Sequence, residues 1–443
     1  MTTLDHARTE SIPFPQKSLI TKLNMGTGMV LGIIFAEATY FWGKSMWDME
    51  EPNQLNRILI LSMFAWSIGF LIGIGAFIGP FRWLIGKDLT DEEQLFMAGK
   101  GQGISRYFRY CTDHKVVGIQ YLVGVMVMLG AGGTMAMMIR TNLISSGSKW
   151  VNSEIYNSLV GLHGITMIVA MIIVATGPFG NFILPIMIGA RDMAFPRLNA
   201  LSWWLLFTAI PVLCSAWFFG GIPTGWTAYA PLSVQAGAGM NAFIVTIIIF
   251  AISSAIAGAN ITTTVFAMRA KGMKWNRTPI FVIGATMSVA LAIPAFPTFM
   301  LSQIMAAFDR TIGTTFYDAQ HGGSGWLYAH LFWIMGHPEV YVILLPGVAI
   351  LMEVAPVFVR KPLFSFNAAI LGFAGITGLS ILVWAHHMYA TGWMPSLNGP
   401  FMVTTEMISV PTGLLFLVLL GTLWRGKPWM KLPMLGVFAL LWN

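Results

Sequence analysis

Charge is what this sequence has least of. Of 443 residues only 10% are Asp, Glu, Lys or Arg while 56% are hydrophobic, whereas soluble domains carry about 25% charged residues. That scarcity excludes an ordinary soluble enzyme and leaves a polytopic membrane protein. Cysteine is almost missing: Cys111 and Cys214 form no disulfide framework and say little about redox compartment. The first 24 residues lack the basic end, apolar core and small-residue cleavage site of a signal peptide, and with Pro13 and Pro15 they read as a cytoplasmic tail. The net charge of +7 would suit nucleic acid, but the basic residues are confined to particular loops and report topology instead, so no nucleic acid partner is expected.

What is present is a series of apolar runs. Ten are complete, at 25–46, 57–80, 116–139, 157–187, 198–219, 240–267, 278–305, 329–357, 364–388 and 398–424, and one at 432–443 is incomplete, taking about 20 residues per span. The fold class is therefore an all-α bundle of about 11 transmembrane helices. Assigning loops alternately to two sides collects Arg8, Lys17, Lys22, the segment from Arg82 to Lys115, Arg191, Arg197, Arg269 to Arg277, Arg360, Lys361 and Arg425 to Lys431 on one side. The other side keeps Lys44, Arg57, Lys149 and Arg310 in loops, with Arg140 at a helix end. The positive-inside rule makes the first side cytoplasmic, in keeping with a multi-pass protein of a prokaryotic cell membrane. The expected organisation is a tail at 1–24, a pair of helices at 25–80, a cytoplasmic loop at 81–115 with a surface helix, and a core from 116 to 443.

Within the run LYAHLFWIMGHPEVYVILLPG stand His337, Glu339 and Tyr341, polar groups at a depth where they are costly and usually functional. On a helix His337 and Tyr341 share one face four residues apart, while Glu339 is rotated roughly 160° away. His386 and His387, in VWAHHMYATGW, close another run. Three imidazoles from two helices suit copper, zinc, iron or nickel over a hard cation; the blander reading is three histidines that bond across a helix interface. The topology places His163, His337, His386 and His387 in the outer part of the membrane, Asp192 at the inner surface and Glu339 between. A carboxylate at the inner surface and another at mid-depth below a metal site is what proton uptake from the inner side requires.

From about Thr112 to the last residue, the strings TDHK, HGITMI, FGNFILPIMIGARDMAFPRLN, GWTAYAPLS, HLFWIMGHPEVY and WAHHMYATG resemble the main subunit of the haem-copper oxygen reductases, the family of cytochrome c oxidase and quinol oxidase. The resemblance implies copper held by His337, His386 and His387, facing a high-spin haem, and Tyr341 bonded to His337 as donor of an electron and a proton. It implies His163 as a ligand of a low-spin haem, Arg140 at that haem's edge, Trp226 on a haem propionate and Trp333 beside the copper. The cofactors expected are two haems of the A type and the copper ion. Asn181, Asp192 and Asn199 match the mouth of a proton path, Ser253 and Ser254 its middle and Glu339 its upper end. Asn and Ser hold water without trapping a charge; their plainer role is to satisfy helix contacts.

The sequence departs from that family in three places. GWTAYAPLS has Tyr-Ala-Pro where the family has Tyr-Pro-Pro. Leu415 and Met352 replace a lysine and a serine of a second proton path, of which Thr412, Tyr341 and Glu353 remain; Glu406 is a candidate substitute or else a neutral carboxyl bonded to a neighbouring helix. The final apolar run is too short to span about 30 Å, and the remaining haem ligands are expected from further residues or a separate polypeptide.

The resulting expectation is the catalytic subunit of a proton-pumping terminal oxidase that reduces oxygen to water, with subunit II carrying the electron entry site and subunit III or small membrane subunits beside it. Cytochrome c or another outer donor is favoured over quinol, because Ala131 and Met135 stand where quinol-oxidising relatives carry Arg and Asp; Arg191, shared with those relatives, counts the other way. A nitric oxide reductase-like enzyme and a non-catalytic membrane scaffold derived from an oxidase are the competing readings. The helix pair at 25–80 has packing, or docking of an accessory subunit, as its open alternatives.

Overall fold

The computed structural model describes residues 18–442 except 52, 148, 149 and 394, so most of the expected tail, including Arg8 and Lys17, and Lys149 lie outside the described residues. Among the described residues ten helices are long and apolar enough to cross a membrane. We number them α1 Met25–Met46, α2 Gln54–Ile74, α3 His114–Asn142, α4 Ser153–Phe182, α5 Pro196–Phe219, α6 Gly239–Ala267, α7 Ile280–Thr311, α8 Gly325–Val359, α9 Phe366–Thr391 and α10 Pro395–Leu423. A shorter apolar helix, Leu432–Trp442, follows. In a bilayer only closed backbone hydrogen bonding is tolerated, and these sequences achieve it as helices despite the prolines Pro294, Pro297, Pro338, Pro346 and Pro356 inside α7 and α8.

The most enclosed spans are α6 and α7, with 67% and 72% of their apolar windows inside the bundle, against 11% for α1. The core therefore lies where α6 and α7 meet α5 and α8, and α1 is peripheral. α1 holds to α2 by close backbone approach: a Cβ at Gly73 would come within 2.5 Å of the Thr27 carbonyl and one at Gly69 within 2.6 Å of that of Leu31. Small residues at such a contact let helices pack on dispersion alone, as membrane interfaces require. The Thr27 hydroxyl adds a bond to the Gly73 carbonyl at 2.8 Å, joining the start of α1 to the end of α2.

On the basic side, residues 81–115 fold onto the bundle. Thr90 and Glu93 form a capping box at the start of a short helix, Asp91–Met97, which satisfies its first N–H groups. Glu93 is buried and paired with Arg82 and Ser18. Burial pushes its carboxyl up, but the bonds from Ser18, Thr90 and Arg82 outweigh that and hold it below the usual carboxylate range.

Arg310 departs from its expected place in a loop. It lies in the last turn of α7, only 2% exposed, and forms no ion pair with a carboxylate among the described residues. Its guanidinium instead donates to Asn241 Oδ1 at 2.8 Å and Asn56 Oδ1 at 3.1 Å, and to the carbonyls of Ser233, Val234, Ala236 and Gly237 at 2.7–3.1 Å. Arg57 of α2 reciprocates by donating to the Thr311 carbonyl at 2.9 Å. Periodicity could not reveal this, since neutral acceptors from three segments replace the counter-ion. The clamp ties α2 to α6 and α7. Arg310→Met should strand these acceptors and cost about 3–5 kcal/mol, the range for breaking a buried charged contact; Asn56→Ala should cost about 1–3 kcal/mol. Thermal unfolding in detergent measures both, and unchanged midpoints would show that the clamp carries no stability.

Candidate metal centre and polar path

α8 is helical without interruption through HPEVY, so His337 and Tyr341 do share a face, with ring centroids 4.9 Å apart. α9 is different. Its α-helical part ends at Ser380 and the chain continues as a 3-10 helix over Trp384–Thr391. This tighter turn carries two successive imidazoles to the same point. His337 Nδ1 lies 3.0 Å from His386 Nε2 and 3.3 Å from His387 Nε2, and the three ligand atoms all lie within 4.8 Å of one another.

Hydrogen bonding alone does not explain that convergence. His386 Nδ1 lies 2.9 Å from the Thr405 hydroxyl, which itself donates to the Phe401 carbonyl at 2.6 Å. Thr405 must therefore accept, His386 carries its proton on Nδ1, and its Nε2 presents a lone pair to the other two nitrogens. Two metal–nitrogen bonds of the usual 2.0–2.1 Å, at tetrahedral to trigonal angles, hold their nitrogens about 3.3–3.6 Å apart. The observed spacings approach this, and three neutral imidazoles suit copper or zinc. Trp333 stacks on His387 at 3.8 Å and 4°, and its indole N–H donates to the Tyr229 hydroxyl at 2.5 Å. His337 Nε2, on the side of the ring away from the cluster nitrogens, is buried without a hydrogen-bond partner among the described residues.

His163 occupies a second polar position. Its Nδ1 lies 2.9 Å from the Gly132 carbonyl of α3, so Nδ1 bears the proton and Nε2 is free to bind a metal, the arrangement usual for ligating histidines. The next residue, Gly164, has a structural reason: a Cβ there would lie 2.8 Å from Trp226 Cβ, so only glycine admits the GWTAYAPLS loop against α4. Trp226 in turn meets Trp333 edge-on at 6.0 Å. Arg140 is exposed at the end of α3.

The expected path residues stand on several elements, Asn181 in α4, Asn199 in α5, Ser253 and Ser254 in α6 and Glu339 in α8. Asp192 lies between α4 and α5; burial pushes its carboxyl up, offset in part by the Met193 N–H. Asn181 and Asn199 are buried, each with a side-chain atom that has no hydrogen-bond partner among the described residues. Ser253 donates to the Ser202 carbonyl at 2.7 Å, and Ser202 shares a 2.9 Å bond with Tyr121. Ser253, Ser254, Tyr121 and Thr176 line a cavity of about 40 Å³, room for water by the rule that one needs about 10–15 Å³. Beyond it a void of about 10 Å³ touches Glu339, with Ile172 and Phe296 in the wall of both. Glu339 is 4% exposed and makes no hydrogen bond to the described residues.

The second set is less united. Glu353 accepts from the Phe281 N–H at 3.2 Å, capping α7, where its charge also suits the helix dipole. Thr412 bonds to its own helix through the Ile408 carbonyl at 2.8 Å. Because Thr405 turns inward to His386, its neighbour Glu406 turns outward and is exposed.

Comparison with known proteins accords with these features. Residues 116–443 match the profile of the family described as cytochrome c and quinol oxidase polypeptide I. The chain belongs to this family. It is 39% identical over 337 residues to cytochrome c oxidase subunit 1 of Thermostichus vulcanus, covering 76% of this chain and 61% of that one. With cytochrome c oxidase subunit 1 of Bacillus subtilis it shares 39% over 318 residues, 71% of this chain and 51% of the relative. A probable quinol oxidase subunit 1 of Staphylococcus haemolyticus is 36% identical over 335 residues, 75% of this chain and 51% of the relative. The chain thus spans between half and about three fifths of the length of these relatives.

Sequence reasoning passed over Thr405, Tyr229 and the pair Tyr121–Ser202 of this oxidase-family chain, since each acts through an atom on a different segment. Thr405, 19 residues after His386, leaves no spacing signal; Tyr229 lay inside a quoted motif without being singled out. Replacing His337, His386 or His387 with Ala should abolish stoichiometric metal in the purified protein. Thr405→Val should weaken metal retention about 10- to 100-fold, as loss of a ligand's hydrogen-bond partner usually does. Elemental analysis after graded chelation checks both, and full retention in the histidine variants would exclude the cluster as a metal centre.

Proposed function

We propose that this chain is the catalytic subunit of a proton-translocating terminal oxidase in a prokaryotic cell membrane, with its N-terminus cytoplasmic. The observation that carries the reading is the meeting of His337 Nδ1 with His386 Nε2 and His387 Nε2, in a chain whose residues 116–443 match the family. His337, His386 and His387 would hold copper, and His163 would be an axial ligand of a low-spin haem, with Arg140 and Trp226 near the haem edges and Trp333 stacked beside the copper. With a high-spin haem, that copper would supply the site at which oxygen is reduced to water. The haems are of the A type in this reading, and subunit II and smaller membrane subunits are the partners.

This chain's own contribution is to position ligands and move protons. Asp192 takes protons from the cytoplasmic side, Asn181 and Asn199 offer buried amide atoms to the water that carries them, and the Ser253–Ser254 cavity passes them to Glu339. Ile172 and Phe296 line both that cavity and the void at Glu339, and a side-chain movement there would gate the path. Tyr341, in ring contact with His337, would be bonded to it and supply a proton and an electron. Glu353 and Thr412 mark a second route; Glu406 is its weaker member because it faces outward.

An outer-side redox protein such as cytochrome c is the favoured donor. Ala131 and Met135 line a cavity of about 400 Å³ walled largely by apolar side chains such as Leu162, Val169 and Ile210, which holds no carboxylate or guanidinium for a quinol at that place.

A reduced-minus-oxidised spectrum of the protein with its native partners, before and after carbon monoxide, tests the reading: two haems are expected, one binding carbon monoxide, and a haem-free complex overturns it in favour of a scaffold. Asp192→Asn and Glu339→Gln should each slow oxygen consumption at least tenfold while leaving both haem spectra intact; wild-type turnover would remove them from the path. Glu406→Gln should slow reduction of the high-spin centre, and an unchanged rate leaves Glu353, Thr412 and Tyr341 to carry that route.

A further inference from the structure

The outermost helix, α1, has two opposite faces. One carries Gly28, Gly32 and Gly43, all buried, where an added Cβ would come within 3.0 Å of Phe70, Trp66 and Ile58 of α2. Phe35 belongs to this face and lies against Gly69. The other carries Val30, Ile34, Glu37 and Phe41, all exposed. A helix turns by about 100° per residue, which sets this second group about 180° from the glycines. Lys44 continues the series but turns its ammonium over the Tyr40 ring at 5.9 Å. Glu37 makes no hydrogen bond or ion pair with the described residues. It lies 12 residues from the start of α1 and 9 from its end, or about 18 Å and 14 Å along a helix rising 1.5 Å per residue. A carboxylate facing lipid at that depth is expensive and marks a functional site by default.

We infer that α1 joins two copies of this chain into a parallel dimer, in which the Glu37 carboxyls of the two copies bond to one another across a two-fold axis along the membrane normal. Val30, Ile34, Glu37 and Phe41 follow one another in steps of four, three and four residues, the spacing of a coiled-coil seam, and a single polar residue in such a seam fixes register and oligomeric state. Two copies inserted the same way in one bilayer bring each seam residue to its own counterpart at equal depth, as a two-fold interface requires. A carboxyl that carries its proton both donates and accepts, so the pair of Glu37 side chains satisfies itself through a shared proton. Lipid tails supply no donor. A helix of another polypeptide would have to bring one to the same depth, whereas a second copy does so by symmetry. Val30, Ile34 and Phe41 add the dispersion contacts on which helices associate in a membrane. The seam lies outside the residues matched by the family profile and concerns assembly, so it stands whether or not the proposed oxidase reading does.

The test is cysteine cross-linking of the full-length protein in its native membranes, together with single-molecule counting of labelled chains diluted into lipid vesicles. In a Cys214→Ser background, which removes the exposed thiol and leaves the buried Cys111, Ile34→Cys should give a disulfide-linked dimer on mild oxidation, because seam positions bring Cα atoms within the 4.4–6.8 Å that a disulfide needs. Phe35→Cys, one residue along but facing α2, should give none. Glu37→Val should weaken association in vesicles about 5- to 30-fold, the effect of losing an interhelical hydrogen bond in a membrane, with the thermal midpoint unchanged. Glu37→Gln should associate like the wild type, since an amide also donates and accepts. A monomeric wild type, undiminished association in Glu37→Val, or equal cross-linking at positions 34 and 35 would each overturn the assignment. A monomer that holds a small membrane polypeptide one-to-one and loses it in Glu37→Val would overturn it in favour of an accessory subunit on this face. Should Ile34→Cys fail to fold, Glu37→Val and Glu37→Gln decide the matter by counting alone.

Discussion

Three imidazole nitrogens brought together in the apolar interior are the constraint on which the rest of the bundle depends. Neutral nitrogens at 3.0–3.3 Å gain little from one another without a cation between them, and the bilayer offers no water to compensate. The fold therefore holds them from outside. Thr405 accepts a hydrogen bond from His386 Nδ1, Trp333 covers the His387 face, and the helical register of α8 fixes His337 beside Tyr341. Each of these supports comes from a different segment, so the cluster cannot form until α8, α9 and α10 have packed.

The same economy governs the polar groups below it. Carboxylates are few and widely separated, at Asp192 near the basic surface and at Glu339 in the interior, and between them stand only amides, hydroxyls and a cavity of about 40 Å³. Apolar side chains close the upper end. A channel lined with more carboxylates would bind protons more tightly and pass them more slowly; one with none would exclude them. In the proposed proton path, sparse acceptors separated by an apolar barrier would serve both conduction and control.

α1 and α2 follow a different logic. They meet one another through glycines, and α2 reaches the core through a buried arginine that uses neutral acceptors in place of an acid. The glycine contact needs no charge and the arginine contact needs no counter-ion, so neither adds a net acidic group to the membrane. Against that background Glu37 stands out, as a carboxylate that the fold leaves facing the lipid.

Much of this was legible in the sequence. Hydropathy located the ten long helices with ends up to six residues from those observed, because a span must be apolar throughout and the loops are where the charges lie. The facing of His337 and Tyr341 followed from helical period alone. The family followed from strings such as HPEVY and WAHHMYATG, whose side chains are too costly in a membrane to be there by chance. Period could not reveal the switch from α-helix to 3-10 helix before Trp384, which lets adjacent histidines converge. Nor could it reveal Thr405 as the acceptor that sets the tautomer of His386, the outward turn of Glu406, or Arg310 as a clamp. A sequence determines which residues can share a helix face and which must be buried; only packing decides which atoms of different helices come within bonding distance, because that depends on crossing angle, depth and the small residues that let backbones approach.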